Sequence, residues 1–145
     1  LETKNIEVGL VAVVYLRDEG LIDWVYVQCD AAECAAVRVA VPDARIAFRL
    51  QSLDELPTIA ALDPPPILIE IDNSLRLRDD PELVALVDAR GIKVFTNSFY
   101  SADVRALLGD LSGYQVDLDR GFDMIQSELP HLALLGLGRI TPPLP

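Results

Sequence analysis

The chain has 145 residues, 51% of them hydrophobic and 6% aromatic, enough apolar material for one core of ordinary domain size. The net charge is -11 at pH 7 and the twelve Lys and Arg form no basic stripe, so a polyanion would meet repulsion over most of the surface and nucleic acid is excluded as a partner. No apolar run approaches the roughly 20 residues that cross a bilayer, so no transmembrane segment is expected.

In chain order, Leu1 to Lys4 suits a short opening strand, and Val8 to Glu19 carries Leu10, Val11, Val14, Tyr15 and Leu16 at helical spacing before Gly20. Trp24 to Gln28 is a run of strand formers. Asp30 with Glu33 has the spacing of a capping box and opens a helix over Ala31 to Ala40, ended by Pro42. Arg45 to Leu50 is the next strand, and Ser52 with Glu55 repeats the capping-box spacing ahead of a helix from Leu53 to Leu62 that Pro57 interrupts. Three prolines at 64–66 deliver the chain to a strand at Ile67 to Ile71, followed by a polar loop from Asn73 to Asp79. Asp80, Pro81 and Gly91 bracket a helix with concordant start and stop signals. A strand at Ile92 to Thr96, short helices at Ala102 to Leu108 and Tyr114 to Arg120, and a strand at Phe122 to Gln126 complete the pattern, with an extended tail at 141–145.

Strands and helices alternate throughout, and the strands are near-continuous apolar runs, which calls for a parallel sheet covered by helices. A doubly wound sheet and a (β/α) barrel share that pattern, although no Gly-rich phosphate loop follows any strand. Cys29 and Cys34 have neither a zinc nor a redox spacing, and both are expected to be free thiols.

Sites on parallel α/β sheets form where strands end. Those ends carry Glu2 and Lys4, Gln28 and Cys29, Arg49, Glu70 and Asp72, Asn97, and Glu128. Carboxylates, cations and an amide on one rim can hold an oxygen-preferring divalent cation and an anionic substrate; they can equally be solvated strand ends and helix caps. The acidic balance does not exclude a small phosphorylated ligand. His131, the single histidine, follows Pro130 on a final short helix, where a surface or cap position is expected, so this chain cannot build a histidine pair for acid–base work. No Ser-His-Asp set and no P-loop is present.

Several segments resemble the glycerophosphodiester phosphodiesterase family. Leu-Glu-Thr-Lys at 1–4 resembles its Glu-x-Lys strand end, and Gly-Leu-Ile-Asp-Trp-Val-Tyr-Val-Gln-Cys at 20–29 its next strand, usually closed by Gln-Ser. Gly-Ile-Lys-Val-Phe-Thr-Asn at 91–97 looks like the family strand ending in Asn, and Gly-Phe-Asp-Met-Ile-Gln-Ser-Glu-Leu-Pro at 121–130 resembles its closing Gly-x-Asp-x-Ile-x-Thr-Asp-x-Pro block. Cys29, Thr3 and the pair Ser127-Glu128 depart from the usual residues.

The resemblance implies a parallel TIM-type (β/α) barrel of which residues 1–140 form the incomplete, C-terminal part. It implies hydrolysis of a glycerophosphodiester to glycerol 3-phosphate and an alcohol. Glu2 would be a ligand of calcium or magnesium and Lys4 a phosphate contact, while the strand ends Gln28, Arg49, Glu70, Asn97 and Glu128 are expected to form the substrate rim. The two histidines that serve the family as acid and base, and its other metal ligands, would come from an N-terminal segment before Leu1 or from a second chain completing the barrel. Without them the chain alone is expected to be inactive, and a degenerate barrel acting as a non-catalytic binding module is the alternative.

Overall fold

The structure is a computed structural model and describes residues 5–72 and 79–141. The strand expected at Leu1 to Lys4, with Glu2 and Lys4, lies outside the described residues, as do most of the loop after Asn73 and nearly all of the tail.

Helix α1 spans Ile6–Asp18 and begins earlier than its apolar spacing predicts, because Asn5 caps it: Asn5 Oδ1 accepts from Glu7 N at 2.9 Å and Val8 N at 3.2 Å. Gly20 follows with φ 69°, the left-handed geometry that glycine adopts without a Cβ penalty. Strand β1 covers only Val27–Cys29, while Trp24 closes a 3-10 turn with Ile22 and is exposed. The aromatic run does not extend the strand because its partner β2, Ile46–Leu50, begins pairing at Ile46 opposite Val27, leaving Trp24 and Val25 without a ladder.

Helix α2, Ala31–Ala40, starts with a complete capping box: Glu33 N donates to Asp30 Oδ1 at 3.0 Å, and Asp30 N donates to Glu33 Oε2 at 3.2 Å. That tight turn folds the first turn of α2 back over the end of β1. Cys29 and Cys34 consequently have Cα atoms 5.3 Å apart and form a disulfide, so the expectation of free thiols is wrong. Motif spacings count known ligand and redox patterns, and they do not register a strand-to-helix turn of this shape.

After β2 the second capping box forms on a 3-10 turn, Leu53–Glu55, and not on a continuous helix. Helix α3, Leu56–Ala61, starts afresh with Pro57 in its first turn, where a missing N–H costs nothing. Strand β3 is Leu68–Ile71. Helix α4, Pro81–Arg90, is capped by Asp80, which accepts from Glu82 N and Leu83 N, and is closed by Gly91 at φ 64°. Strand β4 is Lys93–Asn97, and α5, Ala102–Leu107, and α6, Ser112–Asp119, lead to β5, Met124–Gln126. Helix α7 is Pro130–Gly136, with His131 exposed on its first turn.

The sheet order is β1-β2-β3-β4-β5, parallel throughout. Ile46, Phe48, Leu50, Ile69, Ile71 and Val94 project to one face and form the main core with Cys34 of α2, Ile59 of α3 and Leu83 and Val87 of α4. The opposite face carries a small cluster of Ala47, Leu68 and Phe95, to which no helix among the described residues contributes. A doubly wound sheet reverses its strand order and covers both faces with helices. A strictly sequential order with helices on one face is the arrangement of a barrel wall. The fold is part of a parallel TIM-type (β/α) barrel, which resolves the two architectures that periodicity left open.

At the far end, Ala102, Ala106 and Tyr114 join Leu111, Leu132, Ala133 and Leu137 in a separate cluster that binds α5, α6 and α7 together. Gly136 makes the packing possible, since a Cβ there would stand 2.7 Å from Leu111 O.

Candidate functional site

Register places side chains in layers on the open sheet face. Arg49 pairs with Glu70, Glu70 with Phe95 and Phe95 with Met124, so these four form one row across β2 to β5. Asn97 and Gln126 are paired in the row above, at the strand ends. Gln28 lies in the row below, opposite Ala47. With Tyr26, Leu68, Phe95, Met124 and Gln126 it lines a shallow depression on this face.

Three of the rim residues expected from the sequence, Gln28, Arg49 and Glu70, meet one another on this face of the sheet. Arg49 Nε donates to Glu70 Oε2 at 2.9 Å, and Gln28 Nε2 donates to the same oxygen. The Glu70 side chain is only 14% exposed while that of Arg49 is 41% exposed, so the carboxylate is held inside and the guanidinium reaches toward the mouth. Glu70 therefore sits a layer within the barrel and not on its lip. Its negative charge is offset by Arg49, whose part-exposed guanidinium is a group suited to an anionic oxygen.

Asn97 and Glu128 mark the same end of the sheet but have other partners. Asn97 Oδ1 accepts from Phe99 N at 2.9 Å and shapes the turn after β4. The exposed Glu128 follows β5, and its backbone N–H donates to Asp103 Oδ2 at 2.8 Å.

Asp103 is the feature that sequence reasoning missed. It is 2% exposed, and its Oδ1 lies within hydrogen-bonding distance of Tyr114 OH at 2.8 Å, Ser127 Oγ at 2.7 Å and Ser98 Oγ at 2.9 Å. The single proton of Ser98 is shared with Gln126 O, which is also 2.9 Å away. Burial alone would raise the Asp103 pKa, but donation from Ser127, the Glu128 backbone, Tyr114 and Ser98 outweighs it and holds the carboxyl below its ordinary value. Tyr114 shifts upward, from burial first and then from Asp103. The hub ties the residues following β4 to those following β5. Its signal in the sequence is a charge at 103 on the helix face occupied by Ala102 and Ala106, an inward position at helical spacing.

Among the described residues no group of three or more His, Cys, Asp or Glu is arranged to hold a metal ion. Glu70 Oε2 is engaged by both Arg49 and Gln28, and Glu2, the metal ligand that the resemblance implies, lies outside the described residues.

No family model and no curated protein sequence matches the chain. A solved structure does: a glycerophosphoryl diester phosphodiesterase from Parabacteroides distasonis superposes with a TM-score of 0.74 at 15% sequence identity. The likeness is one of fold. It covers 98% of this chain and 50% of that one, so the chain spans half the length of the protein it matches.

Proposed function

We propose that the chain is the C-terminal part of a phosphodiesterase barrel that hydrolyses glycerophosphodiesters to glycerol 3-phosphate and an alcohol. Residues 1–140 form the barrel portion and 141–145 an extended tail, and a further segment or a second chain supplies the remaining strands. The observation that carries this reading is the superposition of nearly the whole chain on half of a glycerophosphoryl diester phosphodiesterase. Two features support incompleteness: β1 and β5 each pair with one strand among the described residues, and the outer face of α1 exposes Val8, Val11 and Tyr15. Both lie where the missing wall of a barrel would join.

In this reading Arg49 and Gln28 bind the diester oxygens, with Asn97 and Glu128 on the same substrate rim. Calcium or magnesium would supply electrophilic assistance, held by Glu2 and by carboxylates of the completing segment. No proton transfer is assigned within the described residues, since His131 is exposed on α7, the last helix.

A specific observation favours a second reading, a non-catalytic module on a degenerate barrel: Glu70, Arg49 and Gln28 satisfy one another. One assay separates the two. Release of glycerol 3-phosphate from glycerophosphocholine is measured with calcium or magnesium for the 145-residue chain and for a polypeptide extended upstream or joined to its completing chain. Turnover only by the completed protein supports the hydrolase, no turnover by either leaves the module, and turnover by the short chain sinks the divided site.

A further inference from the structure

Strand β1 is held at its end from two sides. Successive residues of a strand project to opposite faces, so Gln28 reaches across the open face of the sheet to Glu70, while Cys29 points to the helix side and bonds to Cys34 in the first turn of α2. The strand is only Val27–Cys29 and pairs, among the described residues, with β2. The placement of the Gln28 amide against Glu70 therefore depends on a short ladder, and a covalent bond anchors the very next residue.

That bond is not what builds the turn. The segment between the cysteines, at a sequence separation of 5, is already closed by the Asp30–Glu33 capping box and by Cys34 N, which donates to Asp30 O at 2.8 Å. The sulfurs also lie where thiols find acceptors: Cys34 Sγ is 3.3 Å from Cys29 O, and Cys29 Sγ is 3.8 Å from Val27 O. Both redox states thus fit the same backbone, unlike a crosslink that the fold requires. The two cysteines are 3% and 0% exposed, but Cys29 borders a cavity of about 10 Å³, room for one water, whose other walls include Ile6 and Gly9 of α1 and Glu33 of α2. An approach to Cys29 leads past the first turn of α1, at the outer end of the sheet.

We propose that Cys29 and Cys34 form a reversible thiol–disulfide pair, which on exchange with a dithiol reductant releases the end of β1 and with it the Gln28 amide from Glu70. A thiolate of the reductant bonds to Cys29 Sγ as the bond to Cys34 breaks; its second thiolate then displaces Cys29 and closes the reductant's own disulfide. Two electrons and two protons pass to the cysteines, which end as thiols. Glu70 keeps Arg49 Nε as a donor and loses Gln28, so the oxidised form is the one that holds the three side chains together. The inference goes beyond the phosphodiesterase reading and does not depend on it, since it concerns how this cluster is held and not what it binds.

The test follows the 145-residue chain by NMR in its oxidised form, after reduction with dithiothreitol, and after reoxidation in air. Reduction is expected without denaturant and with unchanged circular dichroism. The Gln28 side-chain amide resonances should shift and return on reoxidation, and amide exchange at Gln28 and Cys29 should quicken by roughly tenfold, a larger increase than in β3 and β4. The double variant Cys29→Ala, Cys34→Ala should resemble the reduced chain and ignore dithiothreitol. A pair that yields only in urea, or a chain that unfolds once reduced, overturns the proposal and makes the bond a fixed crosslink. Gln28 resonances that stay in place, or exchange that quickens equally in every strand, overturn it by severing the bond from the Glu70 cluster. None of these readings involves hydrolysis, so failure of the phosphodiesterase reading leaves them standing, and their failure leaves that reading untouched.

Discussion

Replacing Asp103 by Asn tests the hub that joins the ends of β4 and β5. The amide keeps the volume but loses the charge, and one of its two polar atoms becomes a donor. With its oxygen at the Oδ1 position to receive the hydroxyls, its NH₂ faces the Glu128 N–H that now donates to Oδ2 at 2.8 Å. Hydrogen bonds to a charged group contribute about 1.5–3 kcal/mol each and do not add independently, so a loss of roughly 2–4 kcal/mol at neutral pH is expected. With a urea m-value of about 2 kcal/mol/M, the middle of the usual range for small proteins, this moves the unfolding midpoint down by roughly 1–2 M. The pH dependence has a definite sign. Because the folded-state pKa of Asp103 lies below its ordinary value, the unfolded chain binds more protons as pH falls through about 4, and the stability this carboxylate confers is lost between that pH and the lower folded value. The Asn variant lacks this term, so the gap between the two proteins should narrow on acidification. Urea titrations from pH 7 to pH 3 supply both readings. A midpoint unchanged at neutral pH, or a gap that stays constant down to pH 3, would refute the account of the hub.

Other perturbations probe independent contacts. Arg49→Met should destabilise by about 1 kcal/mol, since the pair is partly exposed at 41% and 14%, and Glu70→Gln in the same chain should restore most of the loss; a double-mutant cycle with no coupling would mean the pair is an idle contact. Intact mass under non-reducing conditions should be two hydrogen atoms lighter than that of the reduced chain, and Cys34→Ser should cost roughly 2 kcal/mol for a loop this short, measured by denaturation with and without reductant. Gly136→Ala should destabilise by about 2–3 kcal/mol because its Cβ would meet the backbone oxygen of Leu111, and thermal melts showing no loss would contradict the close approach of α7 to the α5–α6 link.

Local signals in the sequence were dependable where one turn of chain contained both partners. The Asp30–Glu33 capping box and the Asp80–Pro81 start with the Gly91 stop appear in the structure where the sequence puts them, since each is a short-range hydrogen-bond or dihedral requirement. Trp24 shows the limit of propensity: a residue suited to strands forms none when no neighbour lies alongside. Gln28, Arg49 and Glu70 were legible as groups at one end of the sheet, but not as a set that neutralises itself a layer below the lip, because that depends on register among three strands. Asp103 was hidden for a related reason. A buried carboxylate is tolerable only with its donors, and these come from Ser98, Tyr114, Ser127 and Glu128, up to 25 residues distant.

The sequential strand order also governs how the molecule comes apart. Each strand pairs only with those next to it in the chain, so cohesion propagates from neighbour to neighbour as in a stack of repeats. Among the described residues, strands β2, β3 and β4 are supported on both sides, whereas β1 and β5, with three residues each, have a neighbour on one side. Amide exchange should be slowest in the middle of this stack and quicken toward its ends, which makes the outer units the adaptable ones. A polypeptide docking at either end would then extend an ordered array by one unit, slowing exchange at the junction first and leaving the centre as it was.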